Sequence, residues 1–297
     1  MNHKPRVFIL GSNGFVGKHL EKSLKSKSFE VVGWSSKDAD LSTQGSVEKM
    51  QSAILEKDVV VFVSAITPDR GKDTNAFMKN ILMAQNVSAA VEGKLSAQGH
   101  LIYISSDAVY ADDLNIIREN TPTDSGQLYG QMHRTRELIL AAAVAKSKVP
   151  FTCLRLNAIY GVGDTHNGYG PNRFIKLALS KNEIALFGEG EEQRDHIFID
   201  DVIQVIIQAI EKKITGTFNI ASGRSVSFMS VARVVQETLK KDFQKSVQIQ
   251  KNKRDPNAVI LHKNFDNTKL LETFAGLTMT SLENGIHTTL KEITTNS

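Results

Sequence analysis

Arg6-Val-Phe-Ile-Leu-Gly-Ser-Asn-Gly-Phe-Val-Gly17 joins a short apolar run, a turn built on three glycines, and the start of a segment with helical period. A strand that feeds a glycine loop and then a helix N-terminus lets the backbone approach a pyrophosphate, which rests against the partial positive charge of the helix. An isolated glycine pattern of this kind is weak evidence. At residue 11, in the first strand–helix unit of an alternating series, it points to a bound dinucleotide.

The alternation continues outward from that loop. Arg6–Leu10, Val31–Trp34, Val59–Ser64, Leu101–Ser105 and Phe151–Asn157 are short, rich in Val, Ile and Phe, and apolar nearly throughout. Strands of a parallel sheet covered on both faces have this composition. Segments of helical period separate them at Val16–Lys25, Val47–Leu55, Asn75–Val91 and Leu128–Ala145. The pattern predicts an α/β fold, a doubly wound parallel (Rossmann) sheet with a smaller mixed α/β C-terminal lobe. The dinucleotide-binding domain is expected over 1–160, completed by about 191–222, where His196–Ile199 and Thr217–Ala221 read as strands returning to the main sheet. The substrate lobe is expected over 161–190 and 223–297, with a Gly- and Asn-rich loop from Gly161 to Asn172, a helix near Arg173–Ser180, and a capping box at Thr280 and Glu283.

Composition narrows the function. The 297 residues are 41% hydrophobic with net charge +4, and the basic residues are scattered apart from Lys240-Lys241 and Lys251 to Arg254. No basic stripe interleaved with aromatics supports nucleic-acid binding, and no apolar run approaches the roughly 20 residues of a membrane span. The single cysteine, Cys153, rules out an intrachain disulfide and suits a cytoplasmic protein. Asp200 and Asp201 read as carboxylates at a helix N-terminus rather than a metal pair, so no metal site is expected.

The spacing Gly11-Ser12-Asn13-Gly14-Phe15-Val16-Gly17 resembles that of the extended short-chain dehydrogenase/reductase family, whose members include nucleotide-sugar epimerases, dehydratases and reductases. Further stretches match in order along nearly the whole chain. The resemblance implies that these seven residues hold the cofactor, that Asp40-Leu41 contacts the adenine, that Ala65 ends a strand beneath the cofactor, and that Asn80 supports the nearby backbone. After the second strand the chain has Trp34-Ser35-Ser36-Lys37, without the acidic residue that usually binds the ribose of NAD. Ser35 and Lys37 lean the expectation from NAD toward NADP, with Asp38 left as a candidate for the NAD role.

Ser105-Ser106-Asp107-Ala108 closes the fourth strand, and Tyr129 opens a helix some twenty residues later. In the resembled family, a hydroxyl at the Ser106 position bonds the substrate oxygen, and a tyrosine at the Tyr129 position moves the proton while hydride transfers. A lysine four residues on normally lowers the pKa of that tyrosine from about 10. Here Tyr129-Gly-Gln-Met-His133 puts a histidine in its place. His133 could bind the nicotinamide ribose and, if protonated, stabilise tyrosinate, although it holds charge less firmly than lysine. Either Tyr129 acts mainly as an acid or catalysis is weakened. Arg134 and Arg136 read as surface residues of the same helix. Family dehydratases carry a Glu where this chain has Ala108, which counts against a dehydratase; Asp107 is then a substrate contact or a cap of the next turn.

On the substrate side, Leu154-Arg-Leu-Asn-Ala-Ile-Tyr-Gly161 resembles a family segment in which Asn157 faces the substrate. Asn172 matches an asparagine beside the nucleotide diphosphate. Arg194, in Gln193-Arg-Asp-His-Ile-Phe-Ile-Asp-Asp-Val202, and Arg254, in Arg254-Asp-Pro, match arginines that hold it. The leading expectation is a reductase or epimerase of a nucleoside-diphosphate sugar. A reductase of a non-sugar ketone or aldehyde, a dehydrogenase of a steroid-like alcohol, and a dinucleotide-binding regulatory protein are the alternatives. A homodimer is expected through the helices beginning near Asn75 and Leu128, where Leu138, Ala141, Ala142 and Ala145 form an apolar stripe that could equally be core.

Overall fold

The computed structural model describes residues 4–112, 116–164, 170–255 and 257–295. Part of the loop expected between Gly161 and Asn172, and Pro256 of the Arg254 segment, lie outside the described residues. In chain order the elements are β1 (Val7–Leu10), α1 (Phe15–Ser26), β2 (Val31–Trp34), α2 (Gly45–Ala53), β3 (Val59–Phe62), α3 (Thr74–Glu92), β4 (His100–Ser106), α4 (Leu128–Ser147) and β5 (Phe151–Leu156). These are followed by β6 (Ala158–Tyr160), α5 (Pro171–Lys181), β7 (Glu183–Phe187), β8 (Gln193–Phe198), α6 (Ile199–Lys212) and β9 (Gly216–Ile220). The chain ends with β10 (Ser225–Ser227), α7 (Phe228–Phe243), β11 (Gln248–Asn252), α8 (Thr268–Thr273) and α9 (Leu282–Thr295).

Two compact units divide the chain. The first comprises Met1–Ala111, Glu119–Leu156 and Val202–Asn219; the second comprises Asp112–Arg118, Asn157–Asp201 and Ile220–Ser297. The sheet of the first unit has the order β2-β1-β3-β4-β5-β9. Its first five strands are parallel, with Val7 opposite Val31 and Val59, Val59 opposite His100, and Leu101 opposite Phe151. Every residue of β1 and β3 is buried, as expected of central strands covered on both faces. Phe8, Leu10, Val60, Phe62, Leu101 and Tyr103 pack with Met50, Val87 and Leu140 of the helices into one core. The chain runs from β1 outward to β2 and then crosses to β3 on the other side. The loops leaving β1 and β3 therefore part at their carboxyl ends, where ligands of such sheets collect.

The second unit holds a three-stranded sheet, β10-β8-β6, and a parallel pair, β11-β7. The strand containing His196, expected from the sequence to return to the main sheet, therefore does not do so. The run Phe151–Asn157 stops at Leu156, its continuation as β6 begins a separate sheet, and β8 pairs there in parallel, with Ala158 opposite His196. Thr280 is not the helix cap either. The Ser281 hydroxyl accepts from the Asn284 N–H at 3.2 Å, while the Thr280 N–H and hydroxyl both donate to the Asp201 carboxylate at 2.9 and 2.7 Å.

Helix α4 carries a buried clasp to the sheet. The Glu137 carboxylate accepts from the Ser105 hydroxyl of β4 at 2.7 Å and from the Arg155 guanidinium of β5 at 2.9 and 2.7 Å. Burial alone would raise the Glu137 pKa, but the Arg155 and Ser105 bonds outweigh it and hold the carboxyl below the ordinary range. On the outer face of α4, Leu138, Ala141, Ala142 and Ala145 are exposed in the single chain rather than part of its core.

Removing one partner of a buried ion pair leaves the other charge unmatched, at a cost of about 3–5 kcal/mol. Glu137→Ala is therefore expected to lower stability by that amount in chemical denaturation. Because the folded pKa is depressed, the wild-type contribution is present above the ordinary carboxylate range and is lost as pH falls through the folded value. An unchanged denaturation midpoint would contradict this.

Candidate functional site

The loop after β1 is shaped by the absence of side chains. Gly11 has φ +109°, and a Cβ on it would lie 2.8 Å from the Ser64 nitrogen at the end of β3. A Cβ on Gly17 would lie 2.1 Å from the Gly11 carbonyl oxygen. The Gly11 and Ser12 N–H groups donate to the Trp34 carbonyl at 2.7 and 3.0 Å, which ties the loop to β2. Gly14 is the N-cap of α1. Ser12, Val16 and Gly17 are buried, Phe15 is half-buried, and Asn13 and Gly14 face outward.

At the end of β2, the Asp38 carboxylate accepts from the Ser35 N–H at 2.7 Å and its hydroxyl at 2.9 Å. Those bonds hold the Asp38 carboxyl below its ordinary range. Ser35, expected to meet a 2′-phosphate, is thus occupied by an anion, and Lys37 is exposed. Asp40 accepts from the Ser42 N–H and hydroxyl at 3.0 and 2.7 Å, and Leu41 is buried in the core. Ala65 follows Ser64 at the mouth of β3. Asn80 fixes the next turn, its Oδ1 accepting from the Ile66 N–H at 2.9 Å and its Nδ2 donating to the Ile66 carbonyl at 3.1 Å.

Ser106 ends β4. Its hydroxyl accepts from the Ala108 N–H at 3.1 Å and donates to the Asp107 carboxylate at 3.3 Å, so Ser106, and not Asp107, caps the turn at 107–109. Tyr129 lies in the first turn of α4. The following residue, Gly130, is pressed so closely against this turn that a Cβ there would lie 1.9 Å from the Ala108 carbonyl oxygen. Tyr129, Met132 and Asn80 line a cavity of about 320 Å³ together with Ile66, Phe77 and Leu128.

His133 is buried, with its Nδ1 2.7 Å from the Tyr103 hydroxyl and its ring edge-on to Tyr129 at 4.7 Å between centroids. Burial first, and the charge of Arg136 second, hold its pKa well below 6.5, so the imidazole is neutral. Burial and the Arg136 charge therefore oppose protonated His133 as the stabiliser of tyrosinate. Arg136 corrects a second expectation: it is a fully buried side chain, not a surface one. Its spacing from Tyr129 and His133, seven and three residues, was the available signal, because such positions share a helix face. Arg134 stays near the surface, paired with Glu137 at 3.1 Å.

In the second unit, Asn157 is buried, and its Nδ2 has no partner among the described residues. Asn172 bridges Gly161 and Asp164, donating to the Gly161 carbonyl at 3.0 Å and the Asp164 carboxylate at 2.8 Å. Arg194 is paired with Glu192 and donates to the Leu261 carbonyl, while Arg254 is paired with Glu191 at 2.8 Å. Asp195, which the sequence reading passed over, is buried and clamps the turn at 222–224, accepting from the backbone N–H groups of Ser222, Gly223 and Arg224. Among the described residues no group of three or more His, Cys, Asp or Glu could hold a metal ion, and no helix is long and apolar enough to cross a membrane.

Sheet order, glycine cradle and switch point define a Rossmann-type α/β protein. A family model described as the NAD dependent epimerase/dehydratase family matches residues 7–221, and the chain belongs to that family. It is 26% identical to a UDP-N-acetyl-alpha-D-glucosaminuronate decarboxylase of Bacillus cytotoxicus, with 97% of each chain covered. It is 23% identical to an uncharacterized UDP-glucose epimerase, YtcB, of Bacillus subtilis, covering 78% of this chain and 81% of the relative. A solved UDP-glucose 4-epimerase of Thermus thermophilus, in complex with NAD, shares the fold at TM-score 0.80 and 18% identity, over 97% of this chain and 99% of that one. The residues fit such a cofactor: the cradle is one that a Cβ would fill, and the buried His133 Nε2 has no partner among the described residues.

Gly17→Ala drives a methyl group into the Gly11 carbonyl and should abolish NAD binding, measured by titration calorimetry, while the circular dichroism of the helices persists. NAD binding at wild-type strength would show that the cradle is not the cofactor site.

Proposed function

We propose that this chain is an NAD-dependent, epimerase-type enzyme acting on a nucleoside-diphosphate sugar, oxidising one sugar hydroxyl and returning the same hydride to the resulting ketone. The observation that carries this reading is the close approach of Gly130 to Ala108, which sets the first turn of the helix bearing Tyr129 against the turn that Ser106 caps. NAD, when bound, would take up and give back the hydride. The Ser106 hydroxyl would bond the sugar oxygen and favour the charge that develops on it. The Tyr129 hydroxyl would move the proton, first away from the sugar hydroxyl and then back. The partial positive charge at the start of α4 favours the anionic form of Tyr129 during that exchange.

Asp38 supports NAD over the NADP preference expected from Ser35 and Lys37, since a carboxylate at that position repels a 2′-phosphate and can accept from a ribose hydroxyl. An epimerase returns its hydride and keeps NAD bound, so an NAD site suits an epimerase better than a reductase. The absence of a carboxylate at Ala108 weighs against dehydration, and the likeness to nucleotide-sugar enzymes does not favour a regulatory or non-sugar role. For the substrate we propose contacts from Asp107 and Asn157, with Asn172, Arg194 and Arg254 toward the diphosphate. A cytoplasmic setting agrees with the lone buried thiol of Cys153.

Ser106→Ala and Tyr129→Phe should each lower kcat by about 10²–10⁴-fold while NAD binding is retained. Conversion of UDP-hexoses and dTDP-hexoses, followed by chromatography, checks this; wild-type rates in either variant would remove that residue from the chemistry. A diphosphate must also displace the Glu192 carboxylate from Arg194. Glu192→Gln should therefore lower KM for the sugar nucleotide by up to about fivefold, the worth of a partly exposed ion pair. An unchanged or raised KM would take Arg194 out of the diphosphate site.

A further inference from the structure

We propose that Arg136 supplies the fixed positive charge that stabilises the anionic form of Tyr129, and that His133 serves beside it as a neutral hydrogen-bond donor. This rests on the reading of Tyr129 as the residue that moves the proton.

Tyr129, His133 and Arg136 follow one another at four and three residues and so share a face of α4. The Arg136 side chain is fully buried, and among the described residues it forms no ion pair. Its partners are neutral. Nη2 donates to the Ser64 carbonyl at 2.7 Å and Nη1 to the Asn80 side-chain oxygen at 3.4 Å, and the guanidinium lies over the rings of Phe62 and Tyr103 at 4.2 and 5.1 Å. Nε has no partner. Burial lowers the Arg136 pKa, but a guanidinium keeps its proton where a buried lysine would lose it. Among the described residues this permanent cation has no counter-anion, an arrangement that favours any neighbouring group able to become one.

The titratable groups facing Arg136 are Tyr103 from β4 and Tyr129 and His133 from its own helix. The adjacent Glu137 carboxylate is taken up by Arg155 and Ser105. Tyr103 is enclosed, and burial pushes its pKa above the ordinary phenol range, so it stays protonated. With no other acceptor for its proton among the described residues, its hydroxyl donates to His133 Nδ1 at 2.7 Å, and the imidazole proton sits on Nε2. That atom is buried and has no acceptor among the described residues, which leaves it as a donor toward a ribose hydroxyl or the Tyr129 oxygen. Tyr129, half-buried at a helix N-terminus, is the group left to carry the negative charge. The lysine of the usual pattern joins two roles, cation and donor. In this chain Arg136 takes the first and His133 the second.

The test needs neither substrate nor cofactor. Tyrosines are labelled with 13C at the ring carbon bearing oxygen in the ligand-free protein, and the Tyr129 signal is assigned by its loss in Tyr129→Phe. Its titration should have a midpoint below the ordinary phenol value of about 10. Arg136→Met should raise that midpoint by a unit or more, and Arg136→Lys should raise it as well, because a lysine buried there loses its proton. His133→Gln, which keeps a neutral donor, should leave the midpoint in place. An unmoved midpoint in folded Arg136→Met, or an equal rise in His133→Gln, would overturn the proposal. If Arg136→Met does not fold, the wild-type midpoint decides, and a value at or above 10 overturns it. Because the readout is ligand-free, a wrong substrate class would leave this result standing.

Discussion

Glu137 bonds to Ser105 and Arg155 in the interior of the first unit, and the geometry of the candidate site depends on that clasp. A carboxylate withdrawn from water is tolerated only when charged and hydrogen-bonded partners replace the solvent. Meeting that requirement ties α4 to two adjacent strands at once. Ser105 precedes Ser106 in β4, and Tyr129 lies eight residues before Glu137, about 12 Å along the helix. One side chain therefore sets the helix against the strand that bears the other member of the Ser/Tyr pair. The close approach of Gly130 to Ala108 completes the fit at the opposite end.

The glycine loop imposes a second constraint of the same kind, through what is missing. Gly11 and Gly17 allow β1, β3 and α1 to converge to distances that no Cβ permits, which presents backbone where the strand order reverses. The two constraints meet at Ser64: its nitrogen abuts Gly11, and its carbonyl receives Arg136. Cradle and α4 face are thereby linked through the end of one strand, all within a single compact unit.

Much of this was legible in the sequence because it follows from local pattern. Apolar runs marked the five parallel strands to within a residue or two, and Gly11 to Gly17 marked the turn. What escaped depends on contacts distant in sequence. The apolar period of the segment around His196 says that it is a strand but not which sheet receives it, and the break at Asn157 decided that. Arg136 read as surface because arginine is seldom fully buried, and only the packing of Phe62, Tyr103 and Asn80 around it shows otherwise. Ser35 suggested a phosphate site until the Asp38 carboxylate was seen folded back onto it.

The central claim, reversible hydride transfer at the Ser106/Tyr129 edge with return of the same hydride, is tested most directly by isotope. The NAD-loaded protein is incubated with a UDP-hexose in D2O and the product epimer is examined by NMR. The account predicts an inverted carbon that keeps its original hydrogen, with no deuterium from solvent. Deuterium at that carbon, or no epimer from any UDP- or dTDP-hexose, would contradict it.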